Sequence, residues 1–62
     1  MNSNAGRLLA RLRERAGHTQ AQAAAVVGVV ERTWRRWETG ETMVPVAMLK
    51  LYRLETERRR DR

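Results

Sequence analysis

A chain of 62 residues with net charge +6 and no cysteine reads as one small domain that neither disulfides nor thiolate metal sites can brace. A chain this short buries only about 60% of its unfolded surface, so extra stability is expected from a partner subunit. One histidine with scattered carboxylates builds no zinc site, and no cofactor is expected. No apolar run approaches the ~20 residues of a membrane span. The opening MNSNAGR lacks the apolar core of a signal peptide, so a cytoplasmic location is expected. Twelve of the 13 basic residues are arginine, and the positive balance favours a polyanionic partner.

Asn2, Ser3 and Asn4 are cap-type residues ahead of the first periodic segment. Leu8, Leu9, Leu12 and Ala16 mark the apolar face of a helix over about Asn4 to Ala16, which Gly17 stops. Arg7, Arg11 and Arg15 recur every four residues as a basic stripe on its other side. His18, between a helix-ending glycine and a cap, reads as an exposed loop residue. Thr19 and Gln22 have the spacing of a capping box, which fixes the start of a second helix and the direction of Gln20. Ala23, Ala24 and Val27 share one face of it, and Gly28 breaks it where a left-handed residue is expected.

A third helix spans about Glu31 to Thr39 and ends at Gly40. Its cap position falls on Val30, which has no side-chain acceptor, a loss of about 0.5–2 kcal/mol that Glu31 offsets in part through the helix dipole. Trp34 and Trp37 lie on one face. Without phenylalanine the chain needs both rings in its core, so core packing outweighs base stacking for them. Glu31, Arg32, Arg35 and Arg36 turn outward. Two short helices joined by a tight turn, the second rich in arginine, form the layout of a helix-turn-helix. Arginine binds guanine O6 and N7 bidentately and glutamate accepts from the cytosine amino group, which makes Glu31, Arg32, Arg35 and Arg36 candidate base contacts.

Glu41 to Val44 forms a loop, and Pro45 suits the first turn of a fourth helix that runs to about Leu54 or a turn beyond. Residues 58–62, RRRDR, read as a disordered basic tail beyond a domain over 1–57. Ala47, Met48, Leu51 and Leu54 form the core stripe of this helix. Val46, Leu49 and Tyr52 lie off it and are assigned to a dimer seam, since two-fold dimers are the rule for this motif. The fold class is all-α: a compact four-helix domain.

The set Leu12-Arg13, Ala16-Gly17, Thr19-Gln20, Ala23-Ala24, Val27-Gly28-Val29, Trp34, Trp37-Glu38-Thr39-Gly40 and Pro45 resembles the phage Cro and repressor type of helix-turn-helix family over about Leu8 to Leu54. The resemblance implies a base or backbone contact for Gln20 and base reading by Glu31, Arg32 and Arg36. It also implies a phosphate contact for Thr33 and an ion pair between Arg13 and Glu38. The family's serine or threonine before the recognition helix is Val30 here, and the loop after Gly40 carries no lysine or arginine. Thr19, Thr42, backbone amides and the first-helix arginines Arg11 and Arg15 are left to hold phosphates. Many relatives add a fifth helix for dimerisation. The Trp-x-x-Trp-Glu-x-Gly run followed by Val-Pro is also similar to small phage-borne regulators, including anti-CRISPR-associated repressors.

The expected function is a dimeric transcriptional repressor of double-stranded DNA, acting by occlusion at an inverted-repeat operator. Two rivals remain open: an architectural, excisionase-like bending factor, and an antitoxin-like protein-interaction module. No nucleophile, base and orienter can be assembled, so no enzyme is expected. No membrane partner and no small-molecule ligand are expected either.

Overall fold

The computed structural model of the chain describes residues 3–60, with side chains over 4–58. Four helices follow in order: α1 Ser3–Ala16, α2 Gln20–Val27, α3 Glu31–Thr39 and α4 Val46–Arg60. Asn2, read above as a cap candidate, lies outside the described residues, as do Asp61 and Arg62.

Each boundary between α1 and α3 has a local cause. Gly17, Gly28 and Gly40 all sit at positive φ, 77°, 79° and 84°, where an L side chain would be strained. The Thr19 hydroxyl accepts from the Gln22 N–H at 3.1 Å, and the Gln22 Oε1 accepts from the Thr19 N–H at 2.8 Å. The capping box therefore starts α2 where the sequence indicates. Val30 takes the extended backbone of a cap, φ −79° and ψ 156°, with no side-chain bond.

Leu9, Ala23, Ala24, Trp34, Trp37, Val44 and Tyr52 form the buried core. α1 and α2 pack on α3, and α4 closes over α2. Trp34 is the centre: its ring meets Tyr52 edge-on at 5.0 Å and Trp37 at 5.9 Å. Gly6 is buried against the end of α3. A Cβ there would fall 2.5 Å from the Trp37 carbonyl oxygen and 2.8 Å from that of Glu38. This glycine lets α1 approach α3 closely, a role the sequence pattern does not signal.

α4 differs from expectation in two ways. It continues through Arg60, past Arg58, where a tail was expected. Thr56 is buried there, and its hydroxyl donates to the Tyr52 carbonyl at 2.9 Å. The core face is also rotated: Met48, Leu49, Tyr52 and Thr56 face inward, whereas Ala47 is exposed and Leu54 is 57% exposed. Tyr52 is fully buried and cannot form a dimer seam; Leu49 is half-buried against the core, and Val46, 67% exposed, faces out. Tyr52 turns inward because its ring fills the space beside Trp34 and its hydroxyl finds a partner in His18. Among the described residues no helix is long and apolar enough to cross a membrane.

Two stability outcomes follow from this packing. Gly6→Ala should destabilise the fold by about 1–3 kcal/mol through overpacking, despite the ~1 kcal/mol gain in helix propensity. An unchanged urea midpoint would show that α1 sits further from α3. Val30 is 68% exposed, so Val30→Ser should add the missing cap and raise stability by about 0.5–2 kcal/mol. A lower melting temperature for Val30→Ser would contradict that cap geometry.

Candidate nucleic-acid interface

The arginine-bearing face of α3 is held from behind by one carboxylate. Glu38 sits in the last turn of α3 with its side chain only 9% exposed. The Arg13 Nε donates to its Oε2 at 2.6 Å, and the Arg13 Nη2 donates to Oε1 at 3.3 Å. The indole Nε1 of Trp34 donates to Oε2 at 2.6 Å, and the amide of Gln20 to Oε1 at 3.0 Å. The ion pair of Arg13 and Glu38 is therefore present. It joins α1, the start of α2 and the end of α3 at a single point.

Burial alone would push the Glu38 pKa up. The hydrogen bonds from Arg13, Trp34 and Gln20 outweigh it and hold the carboxyl below its ordinary value. The same contact with Glu38 raises Arg13, against its own desolvation. Arg13 also donates to the His18 carbonyl at 3.1 Å, which carries the network into the α1–α2 turn.

His18 is a correction. It is half-buried, with Nδ1 2.8 Å from the Tyr52 hydroxyl and its ring edge-on to Tyr52 at 5.9 Å. The αL turn at Gly17 folds it back under the domain, where it satisfies the polar tip of the buried tyrosine. Desolvation raises the Tyr52 pKa, so the phenol is neutral in this contact at physiological pH.

On the outer side, Arg32, Arg35, Arg36, Thr39 and Glu41 line one open concavity. Sequence periodicity brings the three arginines together as expected. Thr39 and Glu41 were missed. Thr39 stands four residues from Arg35 and three from Arg36, so helical spacing alone could have placed it. Glu41 is folded back by the αL cap at Gly40, its N–H bonding to the Arg36 carbonyl at 3.0 Å. Two of the arginines have acidic neighbours: Arg35 lies 3.4 Å from Glu31, and Arg36 lies 3.8 Å from Glu41.

The remaining candidates are spread around this concavity. Gln20 is half-buried, and with an amide N–H given to Glu38 it serves as a strut for α3. Its carbonyl oxygen takes no part in that bond. Thr33 is half-buried within α3; Thr19 and Thr42 are exposed at the turns. Arg11 is exposed on α1. Arg15 lines a different groove, between α1 and α4, beside Arg53, Thr56 and Glu57. The structure does not bring it to the α3 concavity.

Together these features define a DNA-binding helix-turn-helix domain. A family model described as Helix-turn-helix domain matches residues 5–62, and the chain belongs to that family. No curated protein and no solved structure matches the chain.

The buried carboxylate gives a signed pH dependence. Its folded-state pKa lies below its ordinary value of 4.5. Stability from Glu38 is therefore fully present above that value and is lost as pH falls through the lower folded-state value. Glu38→Gln should lower stability at neutral pH by about 3–5 kcal/mol, since Arg13 is left unpaired. It should also remove part of the acid-induced fall in melting temperature. Parallel acid profiles for the two proteins would refute the ionised hub.

Proposed function

We propose that this chain is a sequence-specific double-stranded DNA-binding repressor that acts as a dimer on an inverted-repeat operator. The reading includes an operator within its own promoter. The supporting observation is the concavity of Arg32, Arg35 and Arg36 on a helix fixed from behind by Glu38. Guanidinium forks on a rigid helix suit guanine edges in the major groove, with Glu31 placed to accept from cytosine. Thr19, Thr33, Thr42 and Arg11 are assigned to phosphates, which set register rather than sequence. The protein would act in the cytoplasm on nucleoid DNA and block polymerase by occupancy, without catalysis.

The dimer seam is reassigned to the outer face of α4. Val46, Lys50 and Leu54 recur every four residues on that face, and all three are exposed. Met43, 70% exposed, precedes them. Lys50, Arg53, Leu54 and Glu57 border one shallow surface. Antiparallel pairing of two α4 helices about a point between Arg53 and Leu54 would set Lys50 of each copy opposite Glu57 of the other, which makes that contact complementary in charge.

Selection of bound sequences from random duplexes, followed by gel shift, tests the reading. An inverted repeat with half-sites about 34–36 Å apart is expected. Arg32→Ala should then cost about 1–3 kcal/mol on the selected duplex and relax preference at one position. Equal losses on selected and scrambled duplexes would reduce Arg32 to a phosphate contact. Leu54→Glu should give a monomer in sedimentation and weaken operator binding while leaving helix content unchanged. A dimer that survives this change would place the seam elsewhere.

A further inference from the structure

We infer that Glu41 sets sequence specificity by masking Arg36 until a G·C pair replaces it, an inference that rests on the DNA-binding reading above. The position of Glu41 is fixed by backbone. Gly40 takes the αL conformation, and the Glu41 N–H caps the Arg36 carbonyl at 3.0 Å, with the Thr39 hydroxyl on the same oxygen at 3.1 Å. The carboxylate returns over the last turn of α3 and lies 3.8 Å from the Arg36 Nε, inside the concavity that holds Arg32 and Arg35.

Both side chains of this pair are well exposed, 42% for Arg36 and 63% for Glu41. Exposed pairs of this kind add little to fold stability. Their effect falls on whatever enters the concavity. Non-specific DNA binding is almost entirely attraction between phosphates and basic side chains. A carboxylate among three guanidiniums cancels one of those charges and meets an incoming phosphate unfavourably. Arg35 is similarly paired with Glu31 at 3.4 Å, whereas Arg32 has no ion pair among the described residues. Arg32 is thus the arginine of α3 that engages DNA first.

A matched site changes the balance. Guanine O6 and N7 accept both arms of the Arg36 fork, and the amino group of the paired cytosine is a donor for the released Glu41 carboxylate. Only a G·C pair at that position supplies two acceptors on one base for the fork together with an amino donor for the carboxylate. Separation of the ion pair is then compensated on the matched site and uncompensated elsewhere.

Glu41→Gln separates these cases. The probes are a duplex recovered from random-sequence selection and a scrambled duplex of the same composition, each titrated across salt concentration. The variant should melt as the wild type does. It should bind the scrambled duplex about two- to fivefold more tightly, with a salt slope steeper by about 0.9, one added phosphate contact. Binding to the selected duplex should change less, so the specificity ratio falls. Glu41→Asp, which retains the charge, should keep more of that ratio. In an Arg36→Ala background Glu41→Gln should have a smaller effect, what remains being the direct repulsion between the carboxylate and phosphate. Equal tightening on both duplexes, an unchanged scrambled affinity, or a full effect without Arg36 would overturn the masking role alone. A wild-type protein with no preference for any duplex would overturn the DNA-recognition reading, and this inference with it.

Discussion

The placement of the arginine-bearing helix α3 in this domain depends on the Glu38 carboxylate. Three helices send donors to its two oxygens: Arg13 from α1, Gln20 from α2 and Trp34 from its own helix. A buried charge with one partner is costly, whereas one with its acceptor sites filled is a strong geometric constraint. The donors come from three helices, so the network constrains the angle between α2 and α3. That angle decides how far the arginine face of α3 projects from the domain. The carboxylate contacts no candidate ligand residue of the concavity, yet it sets their common frame.

Apolar packing brings the carboxylate and its donors together. Trp34 spans both systems: its indole N–H binds Glu38 while its ring packs on Trp37 and Tyr52. Tyr52 in turn carries its hydroxyl to His18, whose carbonyl accepts from Arg13. The path closes on itself through α1, α3, α4 and the α1–α2 turn. No buried side-chain nitrogen or oxygen among the described residues lacks a partner, as a small core with few spare contacts requires. Gly6 makes the closure possible, because any larger residue would hold α1 away from the carbonyls of Trp37 and Glu38.

The parts that sequence reveals are those governed by local rules. The capping box at Thr19, the αL glycines and the spacing of the two tryptophans placed α2 and α3. The pairing of Arg13 with Glu38 was implied by family resemblance, and its geometry is as that resemblance implies. What stayed hidden depends on relations between helices. α4 has apolar residues almost all round, so periodicity could not choose between a stripe through Leu54 and one through Tyr52. The choice is made by the space beside Trp34 and by a hydroxyl partner on a loop far away in sequence. His18 was misread for the same reason: its partner lies 34 positions along the chain. Gly6 looked like an ordinary helix residue because its neighbour is the backbone of α3, which no sequence pattern records.

The charge of +6 is not a uniform coating that attracts DNA. Arg13 is spent on structure, while Arg53 and Arg58 lie near glutamates on α4, at 3.7 Å in each case. Arg35 and Arg36 also stand beside carboxylates, on the face proposed to meet DNA. A protein optimised only for affinity would gain from removing those acids, since bare arginines bind phosphate regardless of sequence. In the proposed reading, Glu41 within the arginine concavity and Glu31 beside Arg35 would weaken the unspecific term while leaving each guanidinium fork able to turn to a base edge. On that proposal, discrimination in a domain of this size would come from subtracting charge at the face offered to DNA, with the rigid hub behind it keeping the remaining contacts in register.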